Sequence, residues 1–190
     1  MKKNIIIVDD EPIIRMDIRD ILEENGYNVV AEASDGFSAV ELCKNFKPDL
    51  VIMDIQMPIL DGIMASKRIG REHLAGGILL LTAFNDNEFI EKAKSVGAYG
   101  YLVKPLDEKS FIPTVEMCLS KVEDFKKLKD DMESLQIKLD ERKIIEKAKG
   151  ILMKELNYNE EEAYKYIRKL SMDRRCNMID IAKTVLVAYE

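Results

Sequence analysis

Residues 4–11 read NIIIVDDE, a short apolar run followed at once by three carboxylates. The run is apolar at odd and even positions alike, so both of its faces must be buried. That suits a central strand of a parallel sheet covered by helices on both sides. Residues 49–54, DLVIMD, repeat the pattern and again close on an acid. Three further runs have strand length: YNVVAE at 27–32, ILLLT at 78–82 and GYLV at 100–103. Between the runs lie helix-like segments near 12–25, 36–46, 61–71, 86–96 and 108–122. Several open on Asp, Asn or Ser and close before Gly or Pro. A five-fold β–α alternation of this kind predicts an α/β fold, a five-stranded doubly wound parallel sheet of around 120 residues.

Sheets of that class carry their functional sites beyond the carboxyl ends of the strands. The polar residues fall there. Asp9, Asp10 and Glu11 follow the first strand, Asp54 the third, Thr82 ends the fourth and Lys104 follows the fifth. Clustered carboxylates repel one another unless a cation neutralises them, and hard oxygen ligands suit Mg²⁺. A metal beside Asp54 would keep it ionised and able to attack phosphorus. Lys104 could neutralise a transferred phosphoryl group and the Thr82 hydroxyl could hydrogen-bond it. Any one of these residues alone would read as a solvated strand end; their convergence on one edge argues for a site.

The segments IIIVDDEP, DLVIMDIQMPILDG, LLLTAF and GYLVKP resemble the receiver domain of two-component response regulators, over essentially all of residues 1–122. The resemblance implies a flavodoxin-like fold with Asp54 as phosphoacceptor. It also implies Asp10 and Asp54 as Mg²⁺ ligands, Asp9 acting nearby, and the Gln56 main-chain carbonyl completing the metal site. Thr82 and Tyr101 become a switch pair and Lys104 the phosphate-binding cation. The implied donor is a phosphohistidine on a separate sensor histidine kinase. His73, the only histidine, reads as a surface residue. In the family, phosphate draws the threonine inward, the aromatic residue follows, and the surface of the fourth strand, fourth helix and fifth strand is remodelled.

Other functions are excluded by composition. At 47% hydrophobic and 34% charged residues the chain has globular composition, and no apolar run is long enough to span a membrane. The opening MKKNIIIVDDEP becomes charged too soon for a signal peptide, so a cytoplasmic protein is expected. Cys43, Cys118 and Cys176 are widely spaced and odd in number, and read as small apolar residues rather than a disulfide or metal framework.

Beyond residue 120 no strand pattern returns. Phe125, Leu128, Met132, Leu135 and Leu139 alternate spacings of three and four, the seam of a coiled coil. Either a dimerising helix or a helix packed along its own receiver would show this; a dimer formed on phosphorylation is the preferred expectation. Three helices follow. The first continues the linker through IIEKAKGILMKEL and ends near Asn157; within its stretch IIEKAKGILM (144–153) Gly150 costs about 1 kcal/mol relative to alanine and marks either a packing notch or a contact point. The second is capped by Asn159 with Ala163, Ile167 and Leu170 on one face; the third runs from about Met178 to Tyr189 with Ile181, Val185 and Ala188 inward. The expected layout is a receiver (1–122), a coiled-coil linker helix (123–141) and a three-helix domain (142–190).

That last part holds no recognisable acid–base pair, phosphate loop or metal cluster, so the chain is expected not to be an enzyme beyond accepting a phosphoryl group and, at most, slow autodephosphorylation. A helix-turn-helix DNA reader needs a recognition helix with polar and basic first turns, and the third helix offers only Lys183. Basic residues lie elsewhere, and the charge is uneven. Residues 1–123 hold 14 basic and 21 acidic side chains; residues 124–190 hold 15 and 14. A shallow basic surface suits RNA loops. IIEKAKGILM with EEAYKYIRKLSMDRRCNMIDIAKTVL resembles the ANTAR domain, the RNA-binding antitermination module of some response regulators. The whole chain is similar in layout to the ethanolamine-utilisation regulators of Gram-positive bacteria. The resemblance implies a dimer that binds paired stem-loops in nascent RNA and prevents termination. Ala148, Lys149 and Gly150 would then lie at the RNA surface, with Lys147, Arg168, Arg174 and Arg175 as further contacts. Alternatives are a DNA-binding transcriptional regulator and a receiver whose helical tail docks a protein.

Overall fold

A computed structural model describes residues 2–83 and 96–189. The expected helix at 86–96 falls almost wholly outside the described residues. The chain divides into two compact units, the first ending at Lys126 and the second beginning at Lys127.

The first unit is built on five strands: β1 (Asn4–Val8), β2 (Asn28–Ala33), β3 (Leu50–Asp54), β4 (Gly77–Thr82) and β5 (Gly100–Val103). All pair in parallel, in the order β2-β1-β3-β4-β5. Both-face burial has the physical basis expected of it. Ile6, Val8, Val51, Met53 and Leu80 point to one side and pack on α2 (Gly36–Phe46) and α3 (Gly62–Arg71) through Ala39, Val40, Cys43, Ala65 and Ile69. Ile5, Ile7, Leu50, Ile52, Leu79 and Leu81 point to the other. They meet Ile18 and Leu22 of α1 (Pro12–Glu24) and Phe111, Val115 and Cys118 of a long helix, α4 (Glu108–Leu156). The alternation of side chains along each strand thus feeds two cores, and the sheet is doubly wound as expected.

Local signals set the helix ends. Asp35 caps α2 by accepting from the Ser38 amide (2.9 Å), and Asp61 caps α3 by accepting from the Met64 amide (2.7 Å). Pro12 opens α1, where its missing N–H is not needed.

The receiver helix expected at 108–122 and the linker helix expected to continue through IIEKAKGILMKEL form one helix, α4, which is continuous over 49 residues. No helix-stopping signal stands between residues 122 and 142, so nothing in the chain interrupts it. In the second unit α4 is joined by α5 (Glu160–Arg174) and α6 (Met178–Ala188). Asn159 and Glu162 form a reciprocal capping box at the start of α5. Ala148, Leu152, Ala163, Ile167, Ile181, Ala182 and Val185 form the core of the bundle. Ala188, expected to face inward, is exposed, because α6 ends there. Among the described residues no helix is long and apolar enough to cross a membrane.

Candidate functional site

Strand order reverses between β1 and β3, and the crevice at such a switch point opens beyond their carboxyl ends. Asp9 and Asp10 leave β1 there, and Asp54 is the last residue of β3. One carboxylate oxygen from each lies within 4.8 Å of the other two. Asp9 and Asp54 are buried, while Asp10 is exposed. Asp10 opens onto a cavity of about 590 Å³ that is also lined by Gln56, Met57, Asp61 and Met64.

Lys104, just past β5, reaches into the cluster from the opposite side. Its ammonium lies 2.6 Å from Asp9 Oδ2 and 3.2 Å from Asp54 Oδ1. The Lys104 amide donates to the Thr82 carbonyl (2.7 Å), which ties the lysine to the end of β4. Asp9 is held by its neighbours: Oδ1 accepts from the Glu11 amide (3.1 Å), and its carbonyl accepts from Arg15 Nη1 (2.6 Å). Lys104 is the one cation this close to Asp9 Oδ2 among the described residues, and no other donor meets that oxygen.

The electrostatics follow from this geometry. Burial raises the Asp54 pKa; the Lys104 charge opposes that and the Asp9 charge adds to it. Burial by itself would lower Lys104, but the bond to Asp9 and the charges of Asp54 and Asp9 outweigh it and its pKa is raised. One ammonium against three carboxylates leaves two formal negative charges on hard oxygen donors. That donor set fits a divalent cation such as Mg²⁺. Thr82 is buried at the end of β4, and Tyr101 on β5 is 40% exposed.

Two glycines of this region carry no expectation from sequence but have defined work. A Cβ on Gly62 would stand 2.0 Å from the Asp54 carbonyl oxygen, and one on Gly36 would stand 2.4 Å from that of Leu60. The chain from 55 to 62 folds back so closely on Asp54 that only glycine fits, with the Gly62 amide donating to the Ile55 carbonyl (2.9 Å). The adjacent pair Asp61-Gly62 after MPIL is the signal that could have revealed it.

In the second unit the structure separates the residues expected at an RNA surface. Ala148 is wholly buried in the bundle core, so its expected surface role is corrected. Lys149 is also corrected: its ammonium lies under Glu160 Oε1 (2.8 Å) and the Glu146 carboxylate (2.9 and 3.0 Å). The two glutamates are themselves well exposed, so Lys149 pins α4 to the first turn of α5 just beneath the surface. Lys147, Arg168, Arg174 and Arg175 are exposed and make no ion pair among the described residues.

Gly150 points away from the core, and a Cβ there would meet nothing within 4 Å. The packing-notch explanation is therefore removed as far as this bundle is concerned. Replacing Gly150 by alanine is expected to stabilise the second unit by about 1 kcal/mol through helix propensity alone. Thermal denaturation checks this, and a loss of stability would show that the position is constrained within the chain.

Phe125, Leu128, Met132, Leu135 and Leu139 are each more than half exposed. Phe125 also stacks on Tyr99 with ring centroids 5.7 Å apart, so packing on the first unit accounts for that one residue of the seam.

A parallel sheet ordered β2-β1-β3-β4-β5, with clustered carboxylates at its switch point and a lysine opposite, defines the receiver class of phosphorylation-controlled proteins. Comparison with known proteins agrees. The response regulator receiver domain matches residues 5–116 and the ANTAR domain residues 133–186. The transcriptional regulatory protein PdtaR of Mycobacterium tuberculosis is 41% identical over 184 residues, covering 97% of this chain and 89% of that protein. The chemotaxis protein CheY of Bacillus subtilis is 40% identical over 120 residues, 63% of this chain and all of that one. Among solved structures, the receiver domain of the response regulator NarL from Mycobacterium tuberculosis is 31% identical. It covers 63% of this chain and 97% of that chain with a TM-score of 0.60. The chain belongs to the response regulator family, with an N-terminal receiver domain and a C-terminal ANTAR domain.

Proposed function

We propose that Asp54 accepts a phosphoryl group from a sensor histidine kinase and that the phosphorylated chain binds stem-loop RNA as a dimer, preventing transcription termination. The observation that carries the first half is the buried Asp54 carboxylate, 3.2 Å from the Lys104 ammonium and beside Asp9 and Asp10. An Asp54 oxygen attacks the phosphorus of the phosphohistidine. The new P–O bond forms as the P–N bond breaks, and the electron pair leaves with the donor's imidazole. Asp9, Asp10, Asp54 and the Gln56 carbonyl would hold Mg²⁺, which supplies charge neutralisation for the transferring group. Lys104 then exchanges carboxylate for phosphoryl oxygen, and the Thr82 hydroxyl hydrogen-bonds the group. Tyr101, 40% exposed on β5, is the partner that would turn inward after Thr82 moves.

The output half is supported by the ANTAR match and by four exposed cations, Lys147, Arg168, Arg174 and Arg175, that are not consumed by carboxylates among the described residues. The seam supports the dimer, since Leu128, Met132, Leu135 and Leu139 continue the heptad spacing begun at Phe125 and each stand more than half exposed. Treated with acetyl phosphate, the full chain is expected to bind stem-loop RNA well above duplex DNA of matched charge in a mobility-shift assay. Preference for DNA would reject the reading in favour of a DNA-binding regulator, and binding of neither would favour protein docking. Sedimentation at micromolar concentration is expected to show a dimer after phosphorylation; a monomer before and after would defeat the dimer.

A further inference from the structure

The second unit has a groove whose walls are aromatic and basic while its floor is apolar. We propose that this groove takes one unstacked base of an RNA loop, with the adjoining phosphate on Arg174. The proposal rests on the RNA reading above and assigns it a site. Tyr166 of α5 and Tyr189, at the end of α6, line the groove and are 38% and 46% exposed. Its floor includes Ile181 and Val185, both buried in the bundle core. Its volume is about 240 Å³, below the roughly 300–1,000 Å³ of sites for drug-sized ligands. A single planar heteroaromatic ring suits it; an extended ligand does not.

Two features make the groove a nucleotide site and not merely an apolar notch. Tyr166 is in ring contact with Tyr158, which is not part of the groove lining, with centroids 5.8 Å apart and rings inclined by 58°. Its ring is thus oriented before any ligand arrives, which lowers the entropy cost of stacking a base on it. Charge supplies the second. The first turn of α5 is acidic, with Glu160, Glu161 and Glu162, whereas its far end carries Arg168, Lys169, Arg174 and Arg175 against Asp173. Arg174 lines the groove at that basic end and has no ion-pair partner among the described residues. Thr184, also in the lining, donates its hydroxyl hydrogen to the Asp180 carbonyl (2.8 Å), so its oxygen is left as an acceptor for a base N–H. An aromatic stack with a guanidinium for the phosphate is how single-stranded bases are held without a duplex.

The test uses the phosphorylated full chain and stem-loop RNAs enriched by it from a pool with randomised loops. In an enriched RNA, single abasic substitutions across the loop identify the base whose loss weakens binding about tenfold, the scale of one stacking contact. In Tyr166→Ala the intact RNA is expected to bind about tenfold more weakly, and the same abasic substitution to cost nothing further. Tyr166→Phe keeps the ring and is expected to restore affinity. Arg174→Gln is expected to weaken binding and to lower the salt slope by about one phosphate contact, which Tyr166→Ala leaves unchanged. Photocrosslinking of 4-thiouridine placed in the loop is expected to label Tyr166 or Tyr189 in the unaltered chain, a readout independent of how any variant folds. Tight RNA binding with crosslinks elsewhere, or full abasic sensitivity retained in Tyr166→Ala, overturns the groove and leaves the RNA reading standing. A pool that yields no RNA bound above duplex DNA overturns both.

Discussion

An Asp54→Asn chain is expected to take up no phosphoryl group from acetyl phosphate, while the unaltered chain gains one, as read by intact mass. The amide has the size of the carboxylate but no anionic oxygen to attack phosphorus, and among the described residues no other carboxylate is placed as Asp54 is. Asp9 is wholly buried and engaged by Lys104 at 2.6 Å, and Asp10 is turned to the open cavity. The fold should not suffer. Burial holds the Asp54 pKa above its ordinary 3.8, so the folded chain binds that proton more tightly than the unfolded one. The carboxylate's ionisation therefore costs stability as pH rises from the unfolded value through the raised folded one. Asparagine escapes that cost, and without added Mg²⁺ the variant should melt at or above the temperature of the unaltered chain at neutral pH. A phosphorylated Asp54→Asn chain would refute Asp54 as the acceptor.

Gly62→Ala should be the most damaging single methyl in the receiver. The added carbon would stand 2.0 Å from the Asp54 carbonyl oxygen and 2.9 Å from its carbonyl carbon, and neither is the movable end of a side chain. Relief requires the backbone of β3 or of α3 to shift. Overpacking of this kind costs about 3 kcal/mol, roughly 6–12 °C in melting temperature for a chain of this size. The same displacement moves Asp54 relative to Lys104, so the rate of phosphorylation by acetyl phosphate should fall as well. Gly150→Ala is the matched control, because the same methyl there meets open space. Equal melting of the Gly62→Ala and unaltered chains would show that the close approach is relaxed in solution.

The receiver site was legible because a parallel sheet sends every strand's carboxyl end to one edge. Asp9, Asp10, Asp54, Thr82 and Lys104 each stand at the end of an apolar run, so finding the runs located the residues. Gly62 was not legible in the same way. Its role arises from a turn that brings residue 62 against residue 54, and no periodicity records that approach. Ala148 and Lys149 failed for a related reason. A motif names adjacent residues, but successive positions of a helix point about 100° apart. Ala148 therefore enters the core while Gly150 opens outward. Lys149, between them, is taken by Glu160, which stands eleven residues later and meets it only because α5 packs back on α4.

The sequence by itself determined the strand runs, the caps at Asp35, Asp61 and Asn159, and the edge on which the acids gather. These depend on local spacing and on side chains within a few residues. Only the tertiary structure decided which members of the AKG motif remain accessible and why position 62 tolerates no Cβ. It alone also set Tyr166, Tyr189 and Arg174, drawn from two helices and the end of one of them, around a single groove. Each of those outcomes is a contact between segments distant in the chain, and such contacts come into being only when helices and strands pack.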